Sequence, residues 1–172
     1  ANEGYKVTLV EKEQQAGGKL NNWSKLFPDF SDPEMILKNQ NEQAKSLNLN
    51  ILYNTEISSV SKSNGRFEIS DRSNFKFYAD AVLLASGFKL FDATFKEEYG
   101  YGIFDNVITS ADFEAIHKSG RTLQTKQGTN PKRIAIIYCV GSRDAKSGNI
   151  YCSKVCCITG VKQAIEINKQ LP

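Results

Sequence analysis

Residues 133–162 read RIAIIYCVGSRDAKSGNIYCSKVCCITGVK, and all four cysteines of the chain, Cys139, Cys152, Cys156 and Cys157, fall inside them. Their spacing is C-x12-C-x3-C-C. An apolar run at 134–138 reads as a buried strand, closed by Cys139. Val161, Ala164, Ile165 and Leu171 recur at helical spacing, which predicts a helix starting at the Cys156-Cys157 pair. The thiols are thus expected from a strand end, a loop and a helix start, where an open α/β sheet gathers its ligands.

Several chemistries could use such a cluster of thiols. Structural zinc sites favour C-x2-4-C pairs, which adjacent cysteines imitate poorly. A thioredoxin-like pair needs C-x-x-C, and none is present. A disulfide framework would spread its cysteines, yet residues 1–138 have none. Small buried apolar residues would account for Cys139 better than for the other three. Four thiolates can also hold a 4Fe–4S cluster, whose ligand spacings vary widely. That reading is favoured by the surroundings. A helix N-terminus at Cys156 and Cys157, with Lys154 and Arg143 nearby, suits an anionic group. Gly141 and Gly148 let the intervening loop turn.

The motifs CVGSRD (139–144) and YCSKVCC (151–157) resemble the heterodisulfide reductase A-type family of flavin and iron–sulfur proteins. The resemblance extends over essentially the whole chain, through LVEKEQQAGGKL (9–20), LLASGFKLFDATFKEEYGYG (83–102) and NVITSADFE (106–114). It implies that Cys139, Cys152, Cys156 and Cys157 ligate a 4Fe–4S cluster beside an FAD-binding domain. It also implies electron transfer between FAD and that cluster, with other iron–sulfur subunits as partners. The chain's task would be to set potentials and distances, so no acid–base catalytic residue is expected. Two other functions stay open. One is an NAD(P)H-dependent flavoprotein reductase; the other is a docking module whose cysteines bind zinc.

The beginning of the chain reads as part of a nucleotide-binding fold. Residues 1–5 look like a helix end with Gly4 as its cap, and residues 6–10 like a strand with Glu11 at its tip. In a dinucleotide-binding fold that acid meets a ribose hydroxyl. The preceding G-x-G-x-x-G turn is not in the sequence, so the chain is expected to be an internal piece of a longer protein. Gly17-Gly18 would let backbone approach a flat or charged ligand, although an ordinary turn uses the same residues. By resemblance Glu11, Gly17 and Gly18 match flavin-contacting positions, with Lys19 beside them. Ser86-Gly87 follows the apolar run 81–85, read as a central parallel strand, and matches an S-G step packed on the dinucleotide.

Asp32-Pro33-Glu34 starts a helix to about residue 47, with Met35, Ile36, Ala44 and Leu47 as its buried side. Strands at 51–53, 56–61, 66–70 and 75–79 form a small antiparallel sheet, turning at Asn64-Gly65. A short strand at 106–109 precedes a helix over 111–117 capped by Ser110. His117, the one histidine, reads as solvated. After Cys139 the CVGSRD turn replaces the second G-x-G-x-x-G of a pyridine-nucleotide reductase.

The expected fold is α/β: a partial two-lobed FAD/NAD(P)-binding, Rossmann-like flavoprotein reductase with a small antiparallel sheet insertion. Its domains would be 1–118, FAD-binding; 119–131, a linker; and 132–172, the start of a second lobe. A net charge of +3, carried by scattered lysines, is too mild for nucleic acid. No apolar stretch approaches the roughly 20 residues of a membrane span. Unpaired thiols in a cluster pattern point to a reducing, cytoplasmic compartment. Homodimerisation is left open.

Overall fold

The computed structural model describes residues 3–171. The expected helix end at 1–5 therefore lies partly outside the described residues. The chain divides into two compact units, one of residues 1–21 with 34–88, the other of residues 22–33 with 89–172. The expected linker at 119–131 lies within the second unit.

In the first unit, β1 (Thr8–Val10) pairs in parallel with β2 (Asn50–Leu52), Leu9 opposite Ile51. Between them runs α1 (Pro33–Ser46). Parallel neighbours need such a crossover, because a hairpin turn cannot reverse the chain twice. Proline at the first helical position and Glu34 in the first turn start α1 as expected. Its inward side differs. Ile36, Leu37 and Ala44 are half-buried, whereas Met35 and Leu47 are exposed.

A second, antiparallel sheet holds β3 (Ile57–Ser63), β4 (Arg66–Asp71) and β5 (Lys76–Ala79). Asn64 and Gly65, both at positive φ (51° and 81°), make its two-residue hairpin. This backbone matches the twist of the flanking strands. The strand at 51–53 was expected in this sheet; it belongs instead to the parallel pair, as β2. Ile69 on β4 is the buried apolar side chain of this unit among the described residues.

The apolar run 81–85 forms no strand, and Leu83 and Leu84 are 92% and 82% exposed. The central parallel strand expected there is corrected accordingly. Its composition calls for neighbours on both sides, and among the described residues no strand pairs with it.

The second unit is built on α2 (Ser110–Lys118) and α3 (Cys156–Gln170), which pack together. Thr109, one residue before the expected Ser110, caps α2. Its side chain accepts from Asp112 N at 3.2 Å while Asp112 Oδ2 accepts from Thr109 N at 2.8 Å, a reciprocal capping box. The strand expected at 106–109 is absent because this cap takes its end. Phe113 on α2 is the buried apolar anchor.

The strand expected at 134–138 is also absent, with Ile134 and Ile137 exposed. Helix α3 begins at Cys156 as expected, but its faces are reversed. Gly160, Lys162, Gln163 and Glu166 are buried, whereas Val161, Ala164 and Ile165 are exposed. Polar contacts with α2 decide which side packs.

Candidate functional site

The loop between the first two cysteines is closely bonded. Cys139 has a left-handed backbone (φ 60°), and its carbonyl accepts from Ser142 N at 3.2 Å. Arg143 N donates to Tyr151 O at 3.0 Å, and Asp144 and Asn149 form an isolated antiparallel bridge. Asn149 Nδ2 donates to Gly141 O at 2.9 Å. Asp144 caps the tight turn Ala145–Ser147 and receives Lys96 Nζ at 2.5 Å. The Lys96 ammonium, then the Ser147 hydroxyl, hold the Asp144 carboxyl below its ordinary 3.8, at about 2. Phe91 closes over Gly141, where an added Cβ would overlap the ring. Phe91 and Lys96 thus clamp the loop from a segment about 50 residues earlier.

Beyond the loop, Lys154 N donates to Cys152 Sγ at 3.3 Å, from a left-handed position (φ 66°). The Cys156 thiol receives the Ser153 hydroxyl and backbone N–H groups of Cys139 and Cys157; these lower its pKa against an opposing effect of burial. For Cys157, desolvation of the sulfur raises the pKa, and negative charge at Cys156, Cys139 and Cys152 adds to the rise. Val155, at the N-cap of α3, offers no side-chain cap, so no capping oxygen from it takes up the first turn's N–H groups.

Among the described residues, no three His, Cys, Asp or Glu side chains are disposed to hold a metal ion. Cys152 and Cys157 are exposed, and Cys139 and Cys156 half-buried. Metal ligands commonly converge only when the metal binds, because the binding free energy organises the site. In donor chemistry the segment fits an iron–sulfur group: four thiols, with N–H and O–H donors directed at two of the sulfurs.

The residues expected to face a flavin, Glu11, Gly17, Gly18, Lys19, Ser86 and Gly87, all lie in the first unit. Glu11 follows β1, its N–H donating to Leu52 O at 2.9 Å and its carboxylate accepting from Glu13 N at 3.0 Å. Gly17 (φ 116°) serves close packing: a Cβ there would sit 2.7 Å from Leu37 Cδ2 on α1. Gly18 and Gly87 open onto free space. Lys19 Nζ lies 4.8 Å from the Phe88 ring centroid, which brings the Gly-Gly turn beside the Ser86-Gly87 step.

Other residues were not legible as site residues. His117, read as solvated, is largely enclosed: its ring stacks on Phe113 at 5.7 Å, and Nδ1 lies 2.5 Å from Ser24 Oγ. Glu114 and Lys162 form a buried pair with Oε–Nζ distances of 2.7 and 2.8 Å. The one local signal was Lys162 and Glu166 at helical i,i+4 spacing.

A parallel βαβ unit, an antiparallel sheet and a four-thiol segment define an α/β redox protein of the dinucleotide-binding kind. Residues 1–169 match the pyridine nucleotide-disulphide oxidoreductases, and the chain belongs to that family. Membership makes it an oxidoreductase chain of flavoprotein type. It is 44% identical over 102 residues to the iron–sulfur A-type component of CoB–CoM heterodisulfide reductase from Methanocaldococcus jannaschii, covering 56% of this chain and 16% of that protein. Identity to the A-type component of the H2/formate:CoB–CoM heterodisulfide,ferredoxin reductase of Methanococcus maripaludis is 50% over 88 residues, covering 48% and 13%. The corresponding component of the H2:CoB–CoM heterodisulfide,ferredoxin reductase of Methanothermobacter marburgensis is 42% identical over 96 residues, covering 53% and 15%. The chain thus spans between 13% and 16% of the length of these relatives. No helix among the described residues is long and apolar enough to cross a membrane.

Proposed function

We propose that the chain carries electrons between FAD and a 4Fe–4S cluster, as part of a heterodisulfide-reductase-A-like protein. Cys139, Cys152, Cys156 and Cys157 would hold the cluster; Glu11, Gly17, Gly18, Lys19, Ser86 and Gly87 would face the flavin. When bound, the cluster supplies a one-electron relay whose potential depends on charge and hydrogen bonds at the sulfurs. The chain's own residues direct donors at those sulfurs: Lys154 N at Cys152, and Ser153 Oγ with the N–H groups of Cys139 and Cys157 at Cys156. They also fix the loop, through Lys96, Asp144 and Phe91.

The observation that carries the reading is that all four cysteines lie between residues 139 and 157, where Lys154 N donates to Cys152 Sγ at 3.3 Å. The relatives' names, one of which includes the words iron–sulfur, support it. By the same reading the partners are further electron-transfer subunits of a reductase complex, and the compartment is the reducing cytoplasm. The test is anaerobic reconstitution of the full-length protein, wild type and Cys152→Ser, with iron, acid-labile sulfide and zinc measured. Equal iron and sulfide, reduced in the variant together with the EPR signal, are expected. Zinc without sulfide, or a variant with unchanged iron, sulfide and EPR, would overturn the reading.

A further inference from the structure

Helix α3 carries two of the proposed ligands in its first turn and a buried ionic network about one and a half to two and a half turns further on. Lys162 is 2% exposed, Glu114 4% and Glu166 5%. The Lys162 ammonium lies 2.7 and 2.8 Å from the two Glu114 oxygens and 2.9 Å from Glu166 Oε2. Its N–H groups donate to both Glu114 oxygens, while Glu166 Oε2 is held at ion-pair distance. Glu114 also accepts from Gln163 Nε2 at 2.9 Å and from Ser24 N at 3.1 Å. Gln163 Nε2 reaches Ser110 O, in the first turn of α2, at 3.1 Å. Both Glu166 oxygens lack hydrogen bonds, so the ammonium at 2.9 Å is their principal compensation, with His117 Nδ1 at 3.7 Å.

Such a contact tolerates little displacement. An apolar helix interface can slide by part of a turn at modest cost. Here any slide of α3 along α2 would leave buried carboxylates or a buried ammonium unpaired. A helix is also stiff along its axis: at 1.5 Å per residue, Cys157 lies about 7.5 Å along α3 from Lys162. The register set at Lys162 is thus transmitted to the thiols.

We infer that the Glu114–Lys162–Glu166 network is a register lock, and that Lys162 is a positioning residue for the thiols of Cys156 and Cys157. As a device for cluster binding it rests on the function proposed above. The register itself can be read without metal.

The experiment uses the full-length protein with Lys162→Arg, Lys162→Met, the neutral triple variant Glu114→Gln/Lys162→Met/Glu166→Gln, and Lys169→Met. The last is a control on the same helix, whose ammonium lies over Phe30. In metal-free protein, iodoacetamide alkylation of Cys156 relative to Cys157 is followed by mass spectrometry. After reconstitution, iron content, reduced EPR line shape and midpoint potential are recorded. Lys162→Met and the triple variant should change the alkylation ratio by more than about twofold. They should also alter the g-values and shift the potential. Lys162→Arg should restore both towards wild type, and Lys169→Met should leave both unchanged. If Lys162→Met does not fold, the triple variant, with no charge left unpaired, decides. An unchanged alkylation ratio in every folded variant lacking Lys162 overturns the register lock. Wild-type protein that takes up no iron overturns the cluster reading instead, while the alkylation ratio still judges the lock.

Discussion

Replacing Gly141 by alanine isolates how firmly the loop between Cys139 and Cys152 is clamped. Two costs add at this position. Its backbone is left-handed (φ 73°), which a Cβ disfavours by roughly 1–2 kcal/mol. The new Cβ would also overlap the Phe91 ring atoms, so the ring must move. Phe91 is half-buried and packs edge-on against Phe95 at 6.3 Å, which makes this an overpacking problem of about 1–3 kcal/mol. The sum is about 2–5 kcal/mol. Gly148 supplies the control: its φ is 74°, but a Cβ there meets nothing within 4 Å. Gly148→Ala should therefore cost only the backbone part, roughly 1–2 kcal/mol. The assay is equilibrium urea unfolding. With a slope of about 2 kcal/mol/M, the midpoint should fall by roughly 1–2.5 M for Gly141→Ala and by under about 1 M for Gly148→Ala. Phe91→Ala placed on Gly141→Ala should recover part of the difference, as coupled neighbours do. Equal losses for the two glycine variants, within about 0.5 kcal/mol, would refute the claim that Phe91 closes over the loop.

Asp144 titrates at about 2 in the folded protein against an ordinary 3.8, so its bonds with Lys96 and Ser147 stabilise fully above about pH 3.8. That contribution is lost as pH falls towards 2; acid unfolding of Asp144→Asn should lack this slope, and a slope equal to wild type would count against the pair. Lys162→Met leaves two buried carboxylates unpaired and should cost about 3–5 kcal/mol, while the neutral triple variant should lose under about 2. Urea midpoints check this, and equal losses would show that the charges are not what is lost. Thr109→Ala removes one arm of the capping box and should cost about 1 kcal/mol, with faster amide exchange in the first turn of α2; unchanged exchange would show the cap is redundant.

The parts of the fold that could be read in advance are those set by adjacent residues. Asp32-Pro33-Glu34 starts α1 because proline's fixed φ and missing donor suit a helix's first position. Asn64-Gly65 turns the hairpin because both residues tolerate positive φ. Strand pairing has no such local cause. Residues 81–85 and 134–138 have the apolar content of buried strands, but content does not name a partner, and among the described residues neither run has one. The misassigned strand at 51–53 has the same origin. Its composition suits either sheet, and only the crossover through α1 puts it beside β1.

The thiols of the candidate site were visible because cysteine is rare in the chain and confined to one segment. What holds them was hidden, since Lys96 and Asp144, or Glu114 and Lys162, are 48 residues apart in each case. A charged side chain does not declare its partner; taken alone it reads as solvated. Helix α3 shows the consequence most clearly. Its apolar residues, Val161, Ala164 and Ile165, predict one buried face, yet Lys162, Gln163 and Glu166 occupy the buried side. Burying that many polar groups is unfavourable unless each finds a partner, and α2 offers Glu114 and Ser110 at bonding distance. The orientation of α3, and with it the direction in which Cys156 and Cys157 leave its first turn, follows from that pairing rather than from the helix's own hydrophobic pattern.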